Sequence, residues 1–458
     1  AVGGVVQGFT RPREGSDSEW AEIGGGSFDT FRGGAGISGT TGNTGYSVQG
    51  HFFDTNGTEI ADGGESKGFD NASGNISIDH EFEDGTRVQV LGFRAQGNTE
   101  SGVGERQNTD FRIQTFGASV GKRISRYWET ELELSESRDE QNFTDADGDD
   151  AGTSIFDTRT RTVRWENTIG TQGQQVIVGA ENREDDIDSS TDFEEDSRYN
   201  RAVFGQLLLE RGKTDLQASV RWDDNEAFGN SLTGSVAVGM ELDRRHRFRL
   251  SYGTAFRAPT FNELFFPGFG NPDLSPERSE TAEFGVRGQY RDASWDLAFF
   301  QTNVNDLIAL NETFQPGNIE RARIQGVELT SGVQWHGLEL QSAVTIQSPE
   351  NRDTGDDLIR RTTRSLRLDA DYSLGTVSAG ITGIFEDDRK ANEFNQASSV
   401  AGFGLVNLRA NWTFAPSWSA GLRVDNVLDK DHQTALNDEG GFENPGRGAF
   451  VTLRYGAR

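Results

Sequence analysis

The chain has 458 residues, 33% of them hydrophobic and 26% charged, with a net charge of −29 and a mean hydropathy of −0.64. It is too polar for a soluble core of this length, where apolar usage runs near ~45–50%, yet 31 Phe, 8 Trp and 7 Tyr are too many for a disordered chain. The acid excess argues against nucleic acid as a partner, because phosphate wants Lys and Arg, and no run approaches the ~18 apolar residues of a membrane helix.

One class reconciles these facts. A membrane β-barrel needs apolar residues only at alternate positions of its membrane band, while its lumen and loops are polar. The absence of cysteine suits an envelope protein and many cytosolic ones alike. The chain begins at Ala1 without a signal peptide, which reads as a mature or processed product, or a fragment.

From Ser18 onward, alternation recurs along the chain. In Leu232–Leu242, the residues Leu232, Val236, Val238, Met240 and Leu242 share one face, opposite Thr233, Ser235, Ala237, Gly239 and Glu241. Phe248, Leu250 and Tyr252 likewise oppose Arg247, Arg249 and Ser251, and Leu366, Leu368, Ala370, Tyr372 and Leu374 oppose Arg367, Asp369 and Asp371. Short connections at 83–85, 125–126, 170–173, 212–214, 243–245, 335–337, 373–375 and 415–417 alternate with long polar segments. These are 54–73, 96–109, 136–158, 182–198, 255–279, 303–318, 348–360, 385–400 and 428–446. Short turns on one side and long loops on the other are the pattern of outer-membrane barrels. All nine prolines are expected in loops, turns or the leading segment. The alternating segments number roughly 22, a count associated with plugged outer-membrane transporters. No blade-length repeat supports a propeller. The expected fold is all-β, a transmembrane antiparallel β-barrel of about 22 strands, without an internal linker.

Four segments carry a family resemblance. Ala1-Val-Gly-Gly-Val-Val-Gln-Gly-Phe-Thr-Arg11 resembles the last strand of the plug of TonB-dependent outer-membrane receptors. Ser251–Pro259 with Asn262-Glu-Leu264 and Gly270–Glu280, Asn318–Glu328, and Asp425–Asp431 with Gly446–Tyr455 resemble segments of that family's barrel. The resemblance implies a remnant of the last plug strand over residues 1–11 and the barrel over 12–458. It implies an outer-membrane receptor for a scarce nutrient, most similar to the cobalamin branch, with a ferric-siderophore receptor barrel as the alternative and a natural plugless pore or scaffold as another. A plug closes the lumen and carries the segment that contacts TonB, so TonB is expected as a partner only through a plug that this chain lacks. Outer-membrane lipid, lipopolysaccharide and a small-molecule nutrient are the other expected partners. Asn271, Pro272, Pro276 and Glu277 are expected to fix a rigid loop base, and Gly326 to permit close backbone approach. Tyr455 is followed by three residues, where such barrels usually end in an aromatic.

Two acidic stretches carry candidate metal ligands: Asp145, Asp147, Asp149 and Asp157 in one, Asp186 and Asp188 in the other. Carboxylates on adjacent loops suit calcium, which the cobalamin branch is known to use for ordering its loops; a solvated acidic rim is the other reading. No EF-hand fits, since glycine falls at Gly148 and position twelve is Phe156. No cofactor is required. Phe261, Phe265, Phe266 and Phe269 form an aromatic cluster that either grips an apolar ligand or packs inside the mouth. Enzyme readings lack support. His246 and His336 fall at turns, and none of His51, His80, His246, His336 and His432 has a catalytic partner in view. The Asp79-His80 pair reads as a lumen contact.

Overall fold

The computed structural model describes residues 17–61, 64–102, 107–145, 153–311, 315–391, 398–437 and 440–456, with backbone alone at 145, 319, 320, 437 and 440. Twenty-two strands form one antiparallel sheet that closes on itself. The first strand, Ser18–Gly26, pairs with both its successor Thr30–Thr41 and the last barrel strand Gly448–Gly456, from Trp20↔Gly456 to Gly26↔Phe450. Every other barrel strand pairs with its sequence neighbours, so the closed sheet has no free edge to protect. Two small hairpins, Arg389–Lys390 with Ser399–Val400 and Gln433–Asn437 with Gly440–Glu443, decorate outer loops. The helix Phe261–Phe265 sits in another.

The alternation sorts the side chains as expected. Leu250, Phe284 and Phe299 are register neighbours on three successive strands and all face outward, exposed. In the absence of lipid such a band would be an aggregation surface; in a bilayer it is the solvated face. At the turn end, Trp412, Phe414, Trp418 and Tyr455 form a ladder with ring centroids 5.3, 6.5 and 5.2 Å apart, as interfacial aromatic girdles do. The turn His336-Gly337, with φ of 48° and 84°, has the left-handed geometry that matches strand twist in a two-residue hairpin. Gly326 does what its motif suggested. A Cβ there would lie 2.5 Å from Ile346 O and 2.9 Å from Phe300 Cζ.

Three expectations need correction. The long polar segments are largely strand, not loop. Gln107–Ser125, Trp128–Asp145 and Thr153–Thr171 stay paired as far out as Gln107↔Asp145 and Thr144↔Thr153. Backbone hydrogen bonds continue beyond the membrane band, where both faces are wet and the alternation fades. Two prolines lie in strands. Pro316 opens Pro316–Trp335, and Pro349 lies near the outer end of Leu338–Asn351. Beyond Ile346 the regular second ladder gives way to a returning loop, in which Pro349 O accepts from Leu358 N at 2.9 Å and Glu350 bridges Asp357, so the missing N–H at Pro349 interrupts no regular ladder. Finally, Asp79 and His80 point apart. His80 shares the outward face of Ile76 and Ile78, with Thr44 Oγ1 at 2.7 Å and the Phe82 ring at 4.4 Å.

Candidate functional site

Among the described residues, large buried apolar side chains gather at the outer mouth, among them Phe261, Leu264 and Leu274 of loop 258–276 at 7%, 2% and 5% exposed. The loop is held at both ends. Thr260 caps the helix, its hydroxyl accepting from Glu263 N at 3.2 Å while Glu263 Oε2 accepts from Thr260 N at 2.7 Å. This reciprocal box satisfies two amides that a helix start leaves open. Arg257 then binds Glu277 at 2.7 and 2.8 Å and Glu263 at 3.2 Å. Burial alone would raise the Glu263 carboxyl, but Arg257 and the Thr260 amide outweigh it and hold it below the usual range. On the far side, Asn271 Nδ2 donates to Pro316 O at 3.0 Å. Ser275 N donates to Asn318 Oδ1 at 2.8 Å, and Asn318 Nδ2 returns to Ser275 O at 2.9 Å. Two of the sequence motifs, 270–280 and 318–328, are thus stitched to each other.

The four phenylalanines divide. Phe261 is packed beneath the loop, with the Arg198 guanidinium 4.6 Å from its ring centroid, and Arg198 donates to Pro259 O at 2.7 Å. Phe265 is half-buried with its centroid 6.3 Å from that of Phe261. Phe266 and Phe269 belong to an aromatic relay that links loop 258–276 to Phe193 and the outer ends of two paired strands. Phe143, Phe156, Phe193, Phe266 and Phe269 follow one another at 5.8, 6.4, 5.7 and 6.3 Å. Phe143, Phe156 and Phe193 were not singled out from the sequence; the available signal was an aromatic standing alone among acids, as in Asp192-Phe-Glu194.

The acidic stretches are less free than their composition suggests. Asp157 is register partner to Asp188, but its carboxylate is taken by Arg138 at 2.6–2.9 Å. Asp186 has Arg161 Nη1 at 3.3 Å. Asp188 is exposed. Asp147 and Asp149 lie outside the described residues, as does the side chain of Asp145. Among the described residues no three His, Asp or Glu side chains converge as metal ligands.

Below the mouth the inner wall is a lattice of matched charge. Arg249 binds Glu283 at 2.8 Å and Asp296 at 2.6 Å, and Arg221 binds Glu181 at 2.7 Å and Asp223 at 3.0 Å. Arg409 pairs with Asp371 and lies 3.5 Å from Asp369.

A lipid-facing belt, a charged lumen and a pinned platform at one mouth define an outer-membrane barrel of the receptor type. The model of the family described as "TonB dependent receptor-like, beta-barrel" matches residues 16–427. Similar curated proteins include the vitamin B12 transporter BtuB of Vibrio vulnificus, 28% identical over 413 residues, which are 87% of this chain and 66% of that protein. BtuB of Photobacterium profundum is 25% identical over 94% of this chain and 73% of its own. Similar solved structures include the copper transporter OprC, with a TM-score of 0.85 at 16% identity over 98% of this chain and 81% of that one. The ferric-catecholate import receptor Fiu from K12 E. coli has a TM-score of 0.82 at 13% identity over 97% of this chain and 82% of that one. The chain belongs to the TonB-dependent receptor β-barrel family and resides in the outer membrane. It spans about two thirds of the length of the V. vulnificus relative.

Proposed function

We propose that this barrel serves TonB-dependent uptake of a scarce nutrient of the cobalamin class, captured at the outer mouth without covalent chemistry. The carrying observation is the likeness to proteins named vitamin B12 transporters along 87–94% of the chain. The mouth supports it. A pinned loop and a relay of ring faces suit a large, rigid ligand with apolar faces, and pre-organisation lowers the ordering cost of binding. Likeness to siderophore receptors is at lower identity and supports the shared fold. Coupling to TonB through a plug domain belongs to the same proposal, as does calcium. Its ligands would come from Asp145, Asp147, Asp149 and Asp188, since Asp157 and Asp186 already have arginine partners.

Equilibrium titration of the detergent-solubilised protein with cyanocobalamin, with and without calcium, tests the reading. The expected result is saturable binding that ferric enterobactin does not displace and that calcium strengthens. Saturable binding of ferric enterobactin with none of cyanocobalamin would replace cobalamin by a siderophore; binding indifferent to calcium would remove the metal.

A further inference from the structure

Behind the outer loop 426–447, the inner wall holds a cavity of about 420 Å³ where the first and last strands meet. Its lining includes Phe28, Phe53, Leu405, Phe450, Arg32 and His432. It is more apolar than the recess lined by Arg287, Gln289, Trp295, Asp296, Arg367 and Asp369. Here the wall is more apolar than polar, with Phe28, Phe53, Phe450, Leu405 and Pro445 among its residues, and the Phe28 and Phe450 centroids are 6.3 Å apart.

The roof is built. Asn426, 4% exposed and at φ 47°, exchanges hydrogen bonds with Lys430, its Oδ1 accepting from the amide and its Nδ2 donating to the carbonyl, both at 2.9 Å. Asn407 Oδ1 accepts from Asn426 N at 2.8 Å, and Asp429 Oδ1 accepts from Arg447 N at 2.8 Å. The Asp425–Asp431 motif therefore folds into a closed cap over the cavity.

The charge balance here differs from that at the paired arginines of the wall. Along the lumen, Arg249, Arg221 and Arg409 each have carboxylate partners. At the cavity, Asp425 is taken by Arg423 at 3.0 Å, and Arg423 also covers Phe450 at 5.0 Å. Arg32 is left with a hydroxyl, Thr452 Oγ1, and no carboxylate among the described residues. Its reach is provided for. It crosses over Gly24, where a Cβ would stand 3.2 Å from Arg32 Nε and 3.1 Å from Thr452 Oγ1. His432, packed on Phe403 at 4.7 Å, has Nδ1 3.3 Å from Lys430 O.

We propose that this cavity is a binding subsite for a planar aromatic acid, with the ring between the phenylalanines and its carboxylate on Arg32. A half-buried guanidinium facing apolar walls is stabilised by an anion that brings its own apolar body, because the charge pair is then made away from bulk water. The volume lies within the ~300–1,000 Å³ usual for small-molecule sites. The assignment is independent of which nutrient the barrel imports.

The test uses the full chain in lipid nanodiscs and ¹⁹F NMR titration with 4-(trifluoromethyl)benzoate, against the neutral 4-(trifluoromethyl)benzamide. Saturable benzoate binding, weakened at least tenfold by Arg32→Gln with the benzamide unaffected, is expected. Leu405→Trp, which fills the cavity, should abolish binding of both, and Arg87→Gln, at the turn end, should change neither. Heat-modifiable gel migration confirms that each variant is folded. No saturable binding by the folded wild type, or equal binding by Arg32→Gln, overturns the subsite. Cyanocobalamin titration of the same samples separates the two readings: its failure with benzoate binding intact removes the cobalamin assignment alone, and the converse removes the subsite alone.

Discussion

Arg257 and Glu277 are joined by two hydrogen bonds of 2.7 and 2.8 Å at the neck of the outer loop, where the Glu277 side chain is 4% exposed. The pair holds more than itself, because Glu277 Oε1 also accepts from Ile308 N at 3.0 Å and Arg257 reaches Glu263 of the helix. Arg257→Ala would strand a buried carboxylate. Breaking such a pair costs about 3–5 kcal/mol when both ends are buried, and less here because a third of the Arg257 side chain reaches solvent. The loss should be local. Loop 258–276 becomes protease-sensitive while the barrel's melting temperature stays unchanged, and Glu277→Gln, which leaves no buried charge, has the smaller effect. A drop in barrel melting temperature without loop cleavage would contradict this assignment.

The same loop should loosen in acid. Glu263 is held below the ordinary carboxylate range in the folded loop, so its stabilising contribution is fully present above the unfolded value. That contribution is lost as pH falls through the folded one. Hydrogen exchange at Leu264, whose amide donates to Thr260 O at 3.1 Å, should accelerate in that acid window beyond the intrinsic pH effect. Glu263→Gln should exchange faster at neutral pH and show no such acid step. An identical pH profile for both proteins would show that the cap is not titrating.

The barrel was legible in the sequence because a bilayer forces a period of two onto its strands. Leu368, Tyr372 and Leu374 stand exposed on the outer face as their spacing predicts. Where lipid ends, so does the signal. Glu136–Asp145 reads as an acidic loop, yet it is strand paired to Thr153–Arg161. That register also gives two of the candidate metal ligands arginine partners. Arg138 is brought to Asp157 and Arg161 to Asp186 by cross-strand pairing that no local pattern records. The cap at 258–276 was half legible. Its turn residues announced a rigid base, but whether Phe261 packs or presents itself depended on Arg198, sixty-three residues earlier in the chain. The cavity at the seam was not legible at all, since Phe28 and Phe450 meet only when the barrel closes.

The two faces of one strand give a direct check of the membrane band. Val236 and Ser235 are adjacent in Gly229–Glu241, but Val236 is exposed on the face of Leu232 and Met240, while Ser235 Oγ meets Ser219 Oγ at 2.7 Å on the other. Arginine on the lipid face costs about 2–4 kcal/mol at mid-depth, whereas in the lumen it finds water. Val236→Arg should therefore lower folding stability in lipid vesicles by an amount of that order, and Ser235→Arg by far less. Equal losses would mean that the faces are assigned wrongly.

Conductance tests the lumen. Barrels of even ~16–18 strands leave an aqueous channel, and here the wall side chains are charged and paired across neighbouring strands rather than packed into a core. In a planar bilayer the 458-residue chain should give a large, steady conductance that prefers cations, in keeping with its net charge of −29. Arg409→Gln should strengthen that preference, because Asp369 and Asp371 then face the lumen with one cation fewer; the reversal potential in asymmetric KCl reads it. A closed trace would mean that loops or the leading segment occlude the barrel. A trace that closes only with calcium would place the ion in the acidic loops, because the described wall offers no three-carboxylate site that would bind it.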